Sequence, residues 1–498
     1  MQKRQVIINA ITSIVRVIII GVVFFILYRF LLNTIGVEQL GIWSLVLAFT
    51  SVTQIASFGF GGSVVKFVAK YVAREEDKKV SGIIQTAALS VGAFVGVVLL
   101  ICYPIAKLVL GLVIPNESLP LALSILPYAF FALLIMVITS IFQAGLDGYQ
   151  RIDLRSTLLM AGAILHLLLC FIFAPTYGLM GVAYARVIQN ITVLFSSWFL
   201  LKRCLPLLPI FCFKWNKSLF KEIIGYGLNY QVISISSMFY DPLTKALLSK
   251  FGGLSMVGYF EMASKMIQQL RLLIVSANQV LFPAIANLKE KIPEKIQSVY
   301  LTSYQLVFYL ALPLFSLIIV CTPIISVLWI GYYESIFVTF GILLAIGWFL
   351  NTLGAPAYYA NLGIGELRWN VVGYVVILLL NAILGFLLGI SYDGIGVVIA
   401  FVVSLAFGGS IIYFSYHIRH KIPLLELLPK ASKLIIIACL ISVISTLIIQ
   451  NRLNHSLNII EINSIIILVF SIIIFIPFWF HPMRRRLSGW LTNELLKK

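Results

Sequence analysis

The sequence predicts an all-α integral membrane protein of about fourteen transmembrane helices, built as two parallel six-helix repeats with a further helix pair at the C-terminus. Three observations predict it. Hydrophobic residues make up 61% of the 498 residues and charged ones only 11%, where soluble domains carry roughly 25% charged residues. Apolar runs of about 20 residues, the length that crosses a bilayer core as a helix, recur from end to end. Motifs of the first half return in the second at a near-constant shift. A membrane barrel would need alternating segments of about ten residues, and these runs do not alternate.

Numbered in order, the predicted spans are 7–32, 40–61, 82–103, 119–141, 156–174, 178–201, 222–248, 254–283, 300–321, 336–360, 371–390, 394–416, 433–450 and 464–480. The first is a retained helix. Lys3 and Arg4 resemble the basic start of a secretory signal, but Arg16 interrupts the apolar run and no small-x-small cleavage site follows. With the N-terminus inside, 27 of the 36 lysines and arginines fall in cytoplasmic segments, and three (Lys107, Lys250 and Arg452) lie in or beside outer loops. That asymmetry puts both termini in the cytoplasm. The net charge of +18 is thus spread over short loops between apolar runs. It orients the chain in a membrane, and nucleic acid is not an expected partner. The six cysteines fall mostly in or beside apolar runs, and Cys204 and Cys212 share one loop without a second Cys or His pair. They read as packing residues, with no metal and no cofactor expected.

Two glycines spaced five apart, Gly36 and Gly41, return as Gly253 and Gly258, a shift of 217. Tyr177-Gly-Leu-Met-Gly181-Val-Ala-Tyr-Ala185 is echoed by Tyr392-Asp-Gly-Ile-Gly396-Val-Val-Ile-Ala400, a shift of 215. Ala144-Gly-Leu146 with Arg151 is echoed by Ala360-Asn-Leu362 with Arg368. Each repeat holds six spans, an even number, so both halves enter from the same side and are parallel repeats about an axis along the membrane normal. The predicted lobes are 1–221 and 222–432. The pair 433–498, spans 13 and 14 with a cytoplasmic tail, lies outside the repeat. Similar halves with charge concentrated at their join, in 241–271, point to a transporter.

These residues resemble a known family. Gly36-x-x-x-x-Gly41-x-Trp43, then Phe58-Gly-Phe-Gly61, Val65-Lys-Phe-Val-Ala-Lys-Tyr71 and Pro175-Thr-Tyr-Gly-Leu-Met-Gly-Val-Ala are similar to the Wzx-type polysaccharide flippases. Those belong to the MOP superfamily, with MATE-type exporters and MurJ-type lipid II flippases. The resemblance covers spans 1–12. It implies two six-helix lobes around a central cavity, alternating access, and a location in the bacterial inner membrane. The substrate it implies is undecaprenyl-pyrophosphate carrying an O-antigen, capsule or exopolysaccharide repeat unit. A polysaccharide polymerase and a chain-length regulator are the protein partners it suggests. A MATE-like drug or lipid II exporter is the alternative within transport.

The charges inside the spans are Arg16, Arg186, Asp241, Glu261, Lys265 and Arg271. Insertion scales put each at roughly 2.5–3.5 kcal/mol at the bilayer centre, so each should face water or a partner. Four cations against two acids suit a pyrophosphate, because Arg presents paired donors to phosphate oxygens. Arg16, Arg186, Lys265 and Arg271 are therefore the candidate substrate-binding residues. Asp241 and Glu261 admit two roles, ion coupling or structural i,i+4 pairs with Lys245 and Lys265. Lys245, near the outer end of span 7, is otherwise discounted as able to snorkel. Polar stripes add Asn9, Thr12 and Ser13 beside Arg16, then Gln54 among Thr50, Thr53 and Ser57. Asn229, Ser236, Ser237, Tyr240 and Thr244 form a third, and Gln268 lies beside Lys265. The repeat lets all of them look inward. Pro242 predicts a kink in span 7. No enzyme is expected. A membrane polymerase or transferase would want a large acidic outer loop. The outer loops are short, none pairs carboxylates with a His, and His417 and His420 lack a third metal ligand.

Overall fold

A computed structural model of the chain describes residues 3–53, 58–210, 214–227, 231–278, 281, 285, 288–289, 291–453 and 459–485. Among the described residues there are thirteen α-helices and no strand. They are α1 (Lys3–Thr53), α2 (Phe58–Val72), α3 (Asp77–Val113), α4 (Leu119–Gly148), α5 (Ile152–Cys204), α6 (Lys217–Gly227) and α7 (Gln231–Asn278). Then follow α8 (Lys295–Ile330), α9 (Ser335–Thr352), α10 (Ala355–Ile364), α11 (Arg368–Arg419), α12 (Lys433–Leu453) and α13 (Ile459–Phe480). Eight stretches of described residues are long and apolar enough to cross a membrane, and Ser464–Phe480 is a shorter apolar helix.

Four helices carry two predicted spans each, and backbone geometry shows where they turn. A straight helix of 53 residues, the length of α5, would be about 80 Å long, well over twice the bilayer core. Helical φ/ψ breaks at Gly36 in α1, Gly178 in α5, Gly253 in α7, and Tyr392–Asp393 in α11. A Cβ built on Gly181 would lie 2.2 Å from the Phe173 carbonyl oxygen, and one on Gly396 would lie 2.1 Å from that of Leu388. Eight residues of straight helix span about 12 Å, so each chain has reversed at its break. The repeat predicted from residues 177–185 and 392–400 is thus the same closely packed hairpin made twice.

The first pair of breaks matches as closely. Gly36 sits at φ 81°, ψ 168° and Gly253 at φ 80°, ψ 173°, a conformation open essentially to glycine alone. α7 keeps helical φ/ψ through Pro242 and breaks at Gly253. Span 3, predicted as 82–103, is longer at both ends in α3. The apolar run ended at the charges Lys79 and Lys107, whereas the helix continues past both.

The chain divides into two compact units, Met1–Glu261 and Met262–Lys498. In the first, α5 packs on α1 and α4, and α6 docks on α2. Lys70 Nζ lies 2.8 Å from Glu222, and Ser63 donates to the Ile223 carbonyl at 2.9 Å. In the second, the C-terminal pair α12–α13 closes a core with α8 formed by Tyr309, Val320, Ile435, Cys439, Ile466 and Phe470. Tyr309 stacks on Phe478 at 4.4 Å and on His481 at 4.6 Å, and its hydroxyl donates to the Phe478 carbonyl.

Candidate functional site

The first unit holds a buried ionic cluster at the two hairpins that begin with Gly36 and Gly253. Lys245 Nζ lies 2.7 Å from Glu261 Oε2 and 2.8 Å from Asp241 Oδ2. Tyr28 donates to Glu261 Oε1 at 3.0 Å, and Ser44 donates to Oε2 at 2.9 Å. Lys245 is 5% exposed and Glu261 4%. Sixteen residues separate Tyr28 from Ser44, and likewise Lys245 from Glu261. Straight helices would hold each pair about 24 Å apart. All four meet at one carboxylate, because α1 and α7 both fold back.

The cluster is built on the repeat itself. Lys245 stands 217 residues after Tyr28, and Glu261 217 after Ser44. Asp241 stands at the same shift from Phe24, whose ring meets Tyr28 at 6.2 Å. One hairpin therefore supplies a ring and two hydroxyls where its copy supplies three ions. The two approach at their glycines. A Cβ on Gly41 would lie 2.0 Å from the Leu254 carbonyl oxygen, and one on Gly258 2.4 Å from that of Val37. Leu254 and Val37 are again equivalent positions. Each glycine admits the backbone of the other hairpin where any side chain would block it.

Lys245, discounted from sequence as an end-of-span residue, is instead the cation at the centre, and Glu261 uses it across the hairpin. Spacing along one helix suggested Lys265 as that acid's partner; it could not show that a lysine sixteen residues upstream folds back onto it. The repeat shift was the signal that could have found this cluster, had it been applied to Tyr28 and Ser44 as well as to the glycines.

Arg186 on α5 is half-buried and donates to Gln189 at 3.2 Å. Arg16 is half-buried and interacts electrostatically with the ion pair Asp147–Arg155 at the α4–α5 turn. Asn9, from the same stripe, faces that turn. It donates to the Gln150 carbonyl at 3.1 Å and accepts from the Asp153 amide at 3.1 Å. The stripe on span 1 is in this part a clamp on the α4–α5 turn rather than an inward-looking face. Tyr240 is half-buried, and its carbonyl accepts from Thr244 at 2.7 Å. Gln54, Asn229 and Ser57 lie outside the described residues, as do the side chains of Thr50, Thr53, Ser236 and Ser237.

In the second unit, Arg271 donates to Asn351 Oδ1 at 3.0 Å and stacks on the Trp348 ring at 4.5 Å. Its Nε is buried without a hydrogen-bond partner. Lys265 and Gln268 are half-buried on the same helix. An apolar groove of about 460 Å³ runs between α7, α8 and α13, lined by Leu273, Leu310, Pro313, Leu317, Phe470 and Phe475. Among the described residues, no group of three or more His, Cys, Asp or Glu could hold a metal. Nor does any carboxylate there lie within 4 Å of a nitrogen of Arg16, Arg186 or Arg271.

Hairpin helices, a duplicated half and ions buried inside spans define a transporter-like membrane protein, and comparison with solved structures agrees. The chain has the fold of the MOP-superfamily transporters. A lipid II flippase MurJ in an inward closed conformation aligns over 99% of this chain and 100% of its own, with TM-score 0.73 and 16% identity. An inward-facing MATE-family multidrug resistance transporter of the superfamily covers 82% of this chain and 98% of its own, at TM-score 0.69 and 16% identity. A MOP-superfamily transporter from Pyrococcus furiosus, described as having a binding pocket of reversed polarity, covers 84% and 94%, at TM-score 0.53 and 16% identity. No curated protein matches the sequence. The polysaccharide biosynthesis protein family matches residues 4–289, and the chain belongs to that family. The resemblance seen in its glycine motifs is thereby borne out.

Proposed function

We propose that the chain is a flippase that carries an undecaprenyl-pyrophosphate-linked oligosaccharide repeat unit across the bacterial inner membrane by alternating access. The product feeds O-antigen, capsule or exopolysaccharide assembly. The observation that carries this reading is the imbalance of the buried ions. Both acids, Asp241 and Glu261, already hold Lys245. Arg16, Arg186 and Arg271 have no carboxylate in ion-pair reach among the described residues. Guanidinium groups inside spans, left with donors to spare, suit a pyrophosphate headgroup. A site for cationic drugs would keep its carboxylates available. The apolar groove beside α13 suits the polyprenyl chain.

On this reading Arg16, Arg186, Lys265 and Arg271 meet the headgroup, and Gln54, Asn229, Tyr240 and Gln268 line its path. The halves 1–221 and 222–432 act as the moving lobes, and both termini are cytoplasmic. No covalent step is involved; a polymerase and a chain-length regulator act on the delivered unit. The test is surface glycan in cells whose own copy of the gene is replaced by Arg186→Ala or Arg271→Ala. Each should cut surface glycan at least tenfold at normal protein level. Arg271→Lys should restore it only in part, because lysine keeps the charge and loses the stacked, forked geometry. Normal export from both alanine variants would overturn this account of the cations.

A further inference from the structure

The segment after α5 is not a free loop. Ser81 donates to the Leu207 carbonyl at 3.3 Å, and Gln85 Oε1 accepts from the Lys214 amide at 3.3 Å. Thr86 Oγ accepts from the Asn216 amide at 3.2 Å, and Ser90 Oγ accepts from the Trp215 indole at 3.0 Å. Residues 205–210 and 214–217 are thus strapped along α3 from Ser81 to Ser90, a rise of about 13 Å.

The outward-facing side chains of α3 fix the level of this strap. Large apolar residues are exposed from Phe94 to Leu112. That is about 27 Å of helix, close to the roughly 30 Å hydrocarbon core. Ser90 lies one turn beyond its end. On α5 the exposed Phe195 and Phe199 give way to Lys202 and Arg203 at the same end. The strap therefore lies at headgroup depth at both ends: Trp215 bonds Ser90, and the Pro209 carbonyl accepts from the Trp198 indole at 2.9 Å, at the Phe199–Lys202 edge of α5. There it exposes Leu207 (54%), Ile210 (61%) and Trp215 (50%), where water-facing loops rarely show large apolar groups. Lys214 and Lys217 are exposed beside them. Tryptophan favours this depth, with its ring in the apolar boundary and its N–H satisfied. Lysine and arginine here attract anionic lipid.

We propose that this strap is a docking surface for anionic phospholipids in the leaflet on the lysine- and arginine-rich side. Leu207, Ile210 and Trp215 enter the boundary between headgroups and acyl chains. Lys202, Arg203, Lys214 and Lys217 neutralise the phosphates. The test uses the full-length protein in nanodiscs of phosphatidylcholine, with or without phosphatidylglycerol, brominated high on the acyl chain. Trp215 is one of eight tryptophans, so its signal is the difference between wild type and Trp215→Phe. Bromolipid should quench that difference signal, and at least twofold more when the bromine is on phosphatidylglycerol. Lys214→Glu with Lys217→Glu, which keeps Trp215, should abolish the phosphatidylglycerol preference and leave quenching by phosphatidylcholine. If acrylamide in the water quenches the Trp215 signal and bromolipid does not, the strap faces solvent, where a soluble protein could dock, and the proposal falls. Equal quenching by the two lipids in wild type would equally overturn the anionic preference.

Discussion

Lys245 is the single residue on which most of the buried charge depends. Removing one partner of a buried ion pair costs about 3–5 kcal/mol, because the charge left behind has neither water nor a counter-ion. Lys245→Met leaves Glu261 in that state and Asp241, whose side chain is 31% exposed, unpaired at its edge. Glu261→Gln leaves Lys245 still paired with Asp241 and keeps an oxygen for Tyr28 and Ser44. We expect the thermal midpoint in detergent to fall much further for Lys245→Met than for Glu261→Gln. The double variant should be more stable than the two losses added together, since Glu261→Gln removes the buried charge that Lys245→Met leaves unpaired. Additive losses would mean that the two side chains do not interact in the folded protein. Arg271 should behave otherwise. It balances no acid among the described residues, so Arg271→Ala gives up one hydrogen bond and the Trp348 stacking, and should lower glycan export while lowering the midpoint less than Lys245→Met does.

At the scale of helices, the two crossing glycines and the two turning glycines do different jobs. Gly41 and Gly258 stand where a methyl group would overlap a backbone carbonyl, and backbone cannot swing aside as a flexible side chain can. Overpacking of this kind costs about 1–3 kcal/mol. Gly36 and Gly253 have open space around them but a positive φ, so alanine there is strained by about 1–3 kcal/mol through the backbone alone. Gly21, helical with nothing near it, is the control. Alanine there should be neutral or stabilising by up to about 1 kcal/mol. Thermal midpoints of the five alanine variants check the order. The crossing pair should also bring Tyr28 and Ser44 out of register with Glu261, which Gly36→Ala need not do.

At the scale of the whole protein, the charge of the proposed undecaprenyl-pyrophosphate substrate would set the energetics of the cycle. A headgroup with about two negative charges, moving outward from a cell negative inside, gains roughly 4–5 kcal/mol per 100 mV. Cations that swing with it cancel part of that gain and return empty with the potential's help, so a full cycle still exports negative charge. Flipping should therefore be electrogenic and need no obligatory proton. Asp241 and Glu261, with Lys245 between them, have the arrangement of structural partners. In proteoliposomes, a potential imposed without a pH gradient should drive flipping. Flipping driven by a pH gradient at zero potential, and lost in Glu261→Gln, would make Glu261 a proton carrier instead.

The fold class was legible because bilayer thickness, charge asymmetry and duplication each leave a mark on the sequence, and here all three agreed. The turns were legible too: Gly36 and Gly253 were picked out by spacing alone. The cluster around Glu261 was only half legible. Its members lie on four helix arms, and helical spacing speaks only for neighbours on one arm. Asn9 misled for a related reason. A polar stripe on a span shows that the face needs partners, and it does not distinguish an aqueous path from a protein turn such as Gln150–Asp153. The strap on α3 left no periodic signal. Ser81, Gln85, Thr86 and Ser90 read as ordinary polar residues at a span's edge until the backbone that bonds them is in place.

The order of the two hairpins along the chain has a consequence for how the protein is made. Their members are separated by 217 residues, and a ribosome adding about 5–20 residues per second completes the first hairpin some 10–40 s before the second. The copy that brings no ion to the cluster is born first. It needs nothing from its copy to enter the membrane, and it then waits with the Tyr28 and Ser44 hydroxyls that Glu261 needs. When the second hairpin emerges, Asp241 and Lys245 neutralise each other one helical turn apart, and Glu261 arrives last, to partners already made. A circular permutant that synthesises the charged hairpin first would put Glu261 into the bilayer before its hydroxyl donors exist. Nascent-chain insertion assays should show that hairpin entering less efficiently in the permutant than in the natural order.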